Sequence, residues 1–182
     1  MADLTGKNIL LVIPKNQFDD AELSRTRAVL DATGARIVIL SKSGQSAVGM
    51  NKTRITPDSR IVDWNKQAGV AGKYHAVLVM GGKGAPKSLW DDDILPQILT
   101  DHYRAERVIG AIGLGVAVLA RTGLLAGDTA GPDDEKLLAE LEQAGVAPSP
   151  DTITHYGNVI TARDADAATE FAQTVVAALG ET

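Results

Sequence analysis

The chain has 182 residues, which at roughly 100–200 residues per domain predicts a single domain over 1–182. It carries 18 Lys and Arg against 23 Asp and Glu, a net charge of −5, which argues against nucleic acid or a membrane surface as its main partner. Hydrophobic residues make up 45% but aromatic residues only 4%, as is typical of parallel strands of Val, Ile and Leu covered by Ala-rich helices. The absence of cysteine excludes disulfides and protein thiol nucleophiles.

The N-terminal segment lacks the features of a targeting signal. Its first apolar run, at 9–13, comes too early for a signal peptide and is far shorter than the roughly 18 residues of a membrane span. We therefore expect a cytoplasmic protein.

Strands and helices alternate along the chain. Apolar runs predict strands at 9–13, 36–40, 76–80, 108–112 and 158–161. Periodic apolar positions predict helices from about 21 to Gly34, at 91–103, 116–120 and 133–144, and from Asp164 onwards. Short β-like pieces near 47–48 and 53–55 predict a β-hairpin excursion that is ordinary decoration. The sequence therefore predicts an α/β fold with a doubly wound, mostly parallel sheet and helices on both faces, a flavodoxin-like three-layer sandwich.

Three loops are expected to meet at one edge of this sheet. They follow the strands at 9–13, 76–80 and 108–112, and in such sheets ligands bind where the connections leave the carboxyl ends of the strands. We expect a pocket formed by the loops at 16–22, 81–84 and 113–115. The candidate ligand-binding residues are Asp19, Gly81, Gly82 and Lys83.

The turn Ala111-Ile112-Gly113-Leu114-Gly115 is a sharp strand-to-helix connection of the kind that presents a catalytic nucleophile. Here the chain resembles the ThiJ/PfpI family, relatives of the class I glutamine amidotransferases, whose turn reads Ala-Ile-Cys-His-Gly. Gly113 stands at the cysteine and Leu114 at the histidine, so both reactive side chains are missing.

Three further segments carry the same resemblance, in the same order and spacing. Residues 18–23 are similar to the family's Phe-Glu-Asp-Val-Glu-Leu, and residues 74–82 to its Tyr-Asp-Ala-Leu-Val-Ile-Pro-Gly-Gly. Residues 157–163 are similar to its Gly-Asn-Leu-Ile-Thr-Ser-Arg. The resemblance therefore runs from about Lys7 to the last helix.

The resemblance implies a role for individual residues. It places Glu22 where the family has a glutamate against the cysteine sulfur, and the backbone N–H groups of Gly82 and Leu114 where the family stabilises an oxyanion. It also implies a homodimer. Glu22 is alternatively explained as an ordinary carboxylate in the first turn of a helix. Without the thiol it could still act as a general acid or base if burial raises its pKa.

Other motifs point to no cofactor. Gly113-x-Gly115-x-x-Val118 falls one residue short of a dinucleotide fingerprint, and the three histidines are too dispersed to ligate a metal. The run at 91–93 is best explained as the acidic start of a helix.

Two functions from different classes remain open. We expect a ThiJ/PfpI-like protein that is inactive in thiol chemistry and acts as a small-molecule-binding, regulatory or structural homodimer, with a small carbonyl or carboxylate compound as its ligand. The alternative is a hydrolase, lyase or hydratase that uses Glu22 as general acid or base and backbone N–H groups as anion holders.

Overall fold

The computed structural model describes residues 2–180. Within them the strands are β1 Asn8–Val12, β2 Arg36–Ser41, β3 Ala47–Val48, β4 Arg54–Ile55, β5 Ser59–Arg60, β6 Ala76–Val79, β7 Val108–Ile112, β8 Ile153–Tyr156 and β9 Val159–Ala162. The helices are α1 Asp20–Asp31, α2 Ala85–Ser88, α3 Leu95–Arg104, α4 Val116–Thr122, α5 Glu135–Gln143 and α6 Ala168–Gly180. Short 3₁₀ turns lie at Ile61–Lys66, Gly113–Gly115 and Ala165–Ala167.

The main sheet is parallel except at one edge. Its order is β5-β2-β1-β6-β7-β9-β8, and among the described strands of this sheet only β8 and β9 pair antiparallel. β1 has β2 on one side and β6 on the other, so the connections diverge after β1 and β6. That divergence leaves a crevice at their carboxyl ends.

Helices cover both faces of the sheet. Because successive strand side chains point to opposite faces, Leu10 and Val12 of β1 join one apolar core and Ile9 and Leu11 join the other. The first core is closed by α3, α4 and α5, and the second by α1 and α6. This arrangement confirms the predicted three-layer α/β fold.

The β-hairpin excursion is confirmed as an antiparallel pair of β3 and β4. Two strands were missed by sequence reasoning. β5 has only two residues and is defined by its pairing with β2, and β8 contains exposed polar residues that give no apolar run. Both therefore depend on tertiary partners rather than on local sequence.

Two predicted helix starts were wrong. The helix expected from residue 91 begins at Leu95. The Asp92 carboxylate accepts hydrogen bonds from the backbone N–H groups of Ile94 and Leu95, at 2.9 and 2.8 Å. Asp92 therefore lies before the helix, where such a cap is favoured. The helix expected from Asp164 begins at Ala168, after a 3₁₀ turn in which Asp164 accepts the N–H of Asp166. No helix within residues 2–180 is long and apolar enough to cross a membrane.

Candidate functional site

Glu22 enters the site from the first turn of α1. Asp19 caps this helix, since its carboxylate accepts the backbone N–H of Glu22 at 3.0 Å. The Glu22 side chain is only 3% exposed, and its Oε1 accepts a hydrogen bond from the backbone N–H of Gly81 at 2.8 Å. The residue is thus both a first-turn carboxyl group and a buried link between α1 and the end of β6.

The turn after β7 brings Gly113 against this carboxyl group. Gly113 has a φ of +61°, a conformation that favours glycine. A Cβ at this position would collide with Glu22 Oε2 and would lie 3.2 Å from Glu22 Oε1. The Glu22 carboxyl group therefore occupies the space that the first atoms of a side chain at Gly113 would need.

The glycine pair after β6 allows close backbone approach. Gly82 has a φ of +124°, and a Cβ there would collide with the backbone of residues 17–19. A Cβ on Gly81 would lie 2.7 Å from the backbone nitrogen of Leu114. The carbonyl of Gly81 accepts the N–H of Asp19 at 3.0 Å. The three loops expected to form the pocket therefore lie in direct contact.

Two backbone donors at this junction face no acceptor. The N–H groups of Gly82 and Leu114 have no hydrogen-bond partner among residues 2–180, and both residues line a cleft. Free donors at the carboxyl ends of adjacent strands are suited to hold a ligand oxygen.

A cleft of about 250 Å³ opens over these groups. It is lined by Asp19, Glu22, Met50, Gly82, Lys83, Gly113, Leu114, Pro132, Asp133, Asp134, Arg163 and Asp164. Every candidate site residue named from the sequence lines this cleft except Gly81, which lies behind it and supports Glu22.

Sequence reasoning missed the walls of the cleft. The β3–β4 hairpin is more than decoration, because its Met50 lines the cleft and the Met50 sulfur accepts the backbone N–H of Lys83 at 3.5 Å. Asp133 and Asp134 precede α5, and Arg163 and Asp164 follow β9. Of these only Arg163 had a signal, as the last residue of the family-like segment at 157–163.

Comparison with known proteins assigns the chain to a family. A sequence model of the DJ-1/PfpI family matches residues 7–178. The chain belongs to the DJ-1/PfpI family. This confirms the resemblance to ThiJ/PfpI proteins seen in the motifs, and the chain has no cysteine to supply a thiol.

Individual relatives cover almost the whole chain. An uncharacterized protein of Methanocaldococcus jannaschii is 32% identical over 179 residues, which is 97% of this chain and 84% of that protein. A glutathione-independent glyoxalase of Caenorhabditis elegans is 24% identical over 173 residues, 95% of this chain and 89% of that protein. The crystal structure of a ThiJ/PfpI domain protein from Brachyspira murdochii has a TM-score of 0.86 at 20% identity, with 98% of each chain covered, and supports the fold.

In this DJ-1/PfpI member the Glu22 carboxyl group is protonated at neutral pH. Its pKa is raised from 4.5 to about 8, mainly by burial and then by the charges of Asp19 and Asp164, against the opposing hydrogen bond from the Gly81 N–H. Oε1 accepts that hydrogen bond, so Oε2 can carry the proton. The cleft thus contains a neutral carboxylic acid whose O–H is available as a donor.

The histidines lie away from the cleft. His102 is fully buried, with Nε2 accepting the Tyr74 N–H at 3.0 Å and Nδ1 at 2.6 Å from the Ile98 carbonyl oxygen, and burial lowers its pKa. His75 accepts the N–H of Asn8 through Nδ1, and His155 is exposed on β8. In the described part of the chain no three His, Asp or Glu side chains are grouped to hold a metal ion.

Proposed function

We propose that this protein binds a small carbonyl or carboxylate compound in the Glu22–Gly113 cleft and carries out no thiol chemistry. The observation that carries the proposal is the position of the Glu22 carboxyl group, which fills the place of a side chain at Gly113. Three donors then line the same cleft: the Glu22 O–H and the N–H groups of Gly82 and Leu114. A ligand oxygen is the chemical partner of such a set.

The family's nucleophilic chemistry has no counterpart here. A protein thiol is absent from the sequence, and the Leu114 side chain supplies neither a base nor a positive charge. The related C. elegans protein is a glyoxalase by name. We expect no such activity from this chain, and we assign it a binding role, regulatory or structural in effect.

Ligand titration tests the proposal directly. Pyruvate, methylglyoxal, acetamide and acetate are added to ¹⁵N-labelled protein while the backbone N–H signals of Gly82 and Leu114 are followed. We expect at least one compound to shift both signals in a saturable way. If none of the four moves these signals at the highest soluble concentration, the proposal is wrong.

A variant that fills the cleft mouth sharpens this test. Met50 lies on the hairpin and lines the cleft, so Met50→Trp adds bulk there while Glu22, Gly82 and Leu114 themselves stay unsubstituted. Met50→Leu keeps the volume and serves as the matched control. We expect the tryptophan variant to lose binding and the leucine variant to retain it.

A second candidate function is acid–base catalysis without a thiol. It is favoured by the Glu22 pKa of about 8, which lies close to the operating pH and suits proton transfer. The protein and its Glu22→Gln variant are incubated with methylglyoxal, small amides and isocyanides. Turnover by the unchanged protein that the Gln variant lacks would support this candidate, and rates equal to buffer in both would eliminate it.

A homodimer and a cytoplasmic location remain predictions. The homodimer rests on the family resemblance, and sedimentation of the purified chain across a range of concentrations tests it. A purely monomeric mass of about 19.1 kDa at every concentration would contradict it.

A further inference from the structure

We infer that the cleft selects a neutral carbonyl compound over the corresponding carboxylate, with Asp19 and Asp164 as the residues that exclude negative charge. This inference rests on the proposed ligand-binding function and narrows its ligand to one charge class. It follows from the charges around the three donors. The donors themselves can donate a hydrogen bond to a carbonyl oxygen or to a carboxylate oxygen.

Carboxyl groups outnumber cations around the cleft. The acidic side chains are Asp19, Glu22, Asp133, Asp134 and Asp164, and the cations are Lys83 and Arg163. Even with Glu22 neutral, four carboxylates face two cations. The surplus is negative, so an incoming anion meets net repulsion in a site where nearby walls reduce screening by water.

The two cations offset only part of this charge and leave the cleft net negative. Arg163 Nε is already paired with Asp164 Oδ2 at 3.0 Å, and both side chains are 40% exposed. Lys83 is exposed, on the loop that forms one rim. The exposed ammonium group is strongly hydrated and flexible, so it screens a buried ligand weakly.

Asp19 and Asp164 are the cleft carboxylates whose charges repel negative charge at Glu22. Both charges reach the Glu22 carboxyl group and disfavour its ionised form. A ligand carboxylate bound beside Glu22 would experience the same two charges. A neutral amide or ketone presents an equivalent oxygen to the donors without that cost, and an amide N–H finds acceptors in the surrounding carboxylates.

Both aspartates allow a substitution that removes the charge and keeps the backbone cap, although Asp164→Asn also gives up the ion pair with Arg163. Asp19 caps α1, and Asp164 accepts the N–H of Asp166 at 3.1 Å. Asparagine is as good a helix cap as aspartate, so Asp19→Asn and Asp164→Asn retain these hydrogen bonds. Asp31→Asn, at the exposed carboxyl end of α1, is the control for loss of one negative charge outside the cleft.

The experiment compares acetamide with acetate at pH 6.5, where acetate is ionised, by following the Gly82 and Leu114 N–H signals. We expect acetamide to bind more tightly to the unchanged protein. Asp19→Asn and Asp164→Asn should each strengthen acetate binding, relative to acetamide binding, on the order of threefold. Asp31→Asn should alter neither.

The possible outcomes distinguish a failure of the charge selectivity from a failure of the proposed ligand binding. Acetate that binds as tightly as acetamide, or that fails to respond to either cleft variant, overturns the selectivity and leaves ligand binding intact. If neither compound shifts the two signals, while pyruvate and methylglyoxal also fail, the proposed function falls as well. Shifts by pyruvate, an anion, without shifts by methylglyoxal or acetamide, both neutral, overturn the inference alone.

Discussion

The carboxyl group of Glu22 lies where a side chain on Gly113 would begin. Oε1 is held by the Gly81 N–H, and Oε2 meets the position of a Cβ on Gly113. Because Gly113 has no side chain, the Glu22 carboxyl group has the space to be buried against the turn.

Gly113→Ala should destabilise the protein by about 2–4 kcal/mol, from the strained φ of +61° together with the collision with Glu22. Gly157 has a φ of +60° and open space around it, so Gly157→Ala measures the strain alone and should cost about 1–2 kcal/mol. Urea unfolding gives both values. In a Glu22→Ala background the excess cost at Gly113 should disappear, and an unchanged excess would contradict the collision.

Gly113→Cys should not create a working thiol site. The new side chain meets Glu22 before its sulfur can reach the cleft, and Leu114 provides no cation to stabilise a thiolate. We expect negligible turnover of methylglyoxal and slow reaction with a thiol-specific reagent at pH 7. Cysteine-dependent turnover in this single variant would refute the prediction.

Stability should fall as the pH rises from about 4.5 to 8. Glu22 ionises near 4.5 in the unfolded chain but only near 8 in the folded protein, so the folded state binds more protons across this window. The contribution of the protonated Glu22 to the free energy of unfolding is complete below pH 4.5 and is lost as the pH passes 8. It amounts to at most about 5 kcal/mol.

The matched variant for this pH dependence is Glu22→Gln, which keeps an oxygen acceptor for the Gly81 N–H and does not ionise. Its unfolding free energy between pH 5 and 9 should lack the decline seen in the unchanged protein. Parallel curves for the two proteins would show that Glu22 is not the group responsible.

The parts of the fold that were predictable are those whose signal is local. β1, β6 and β7 are buried on both faces and read as continuous apolar runs, and their carboxyl ends correctly indicated which loops meet. β5 and β8 have no such runs, since pairing with neighbouring strands defines them.

The sequence predicted which loops meet at the cleft but not how their side chains are arranged there. Family-like motifs pointed to Glu22 and to the turn at Gly113, yet the carboxyl group's occupation of the side-chain position depends on how α1 packs against the end of β7. The contribution of Met50 depends on where the hairpin folds over. Neither is encoded by spacing along the chain.

Arg121 joins α4, α5 and the segment before α3. Its guanidinium makes two hydrogen bonds to Glu140, at 2.9 and 2.6 Å, and others to the Asp91 carboxylate at 2.6 Å and the Trp90 carbonyl at 2.7 Å. Lysine lacks the planar set of donors, so Arg121→Lys should cost about 1–2 kcal/mol in urea unfolding. Arg54→Lys, on the exposed β4 strand, should change stability by less than about 0.5 kcal/mol, and equal costs for both would contradict this role.

Asp20→Asn should loosen the hairpin that carries Met50. The Asp20 carboxylate accepts the backbone N–H groups of Asn51 and Thr53, each at 2.9 Å, one on each oxygen, and an amide can accept only one of them. We expect faster hydrogen exchange and faster proteolysis at 43–57, together with weaker ligand binding, while exchange in β1 is unchanged. Asp58→Asn is the control, since Asp58 lies beyond the hairpin and its carboxylate accepts the N–H of Ile39. Equal effects of the two substitutions on exchange at 43–57 would show that Asp20 does not hold the hairpin in place.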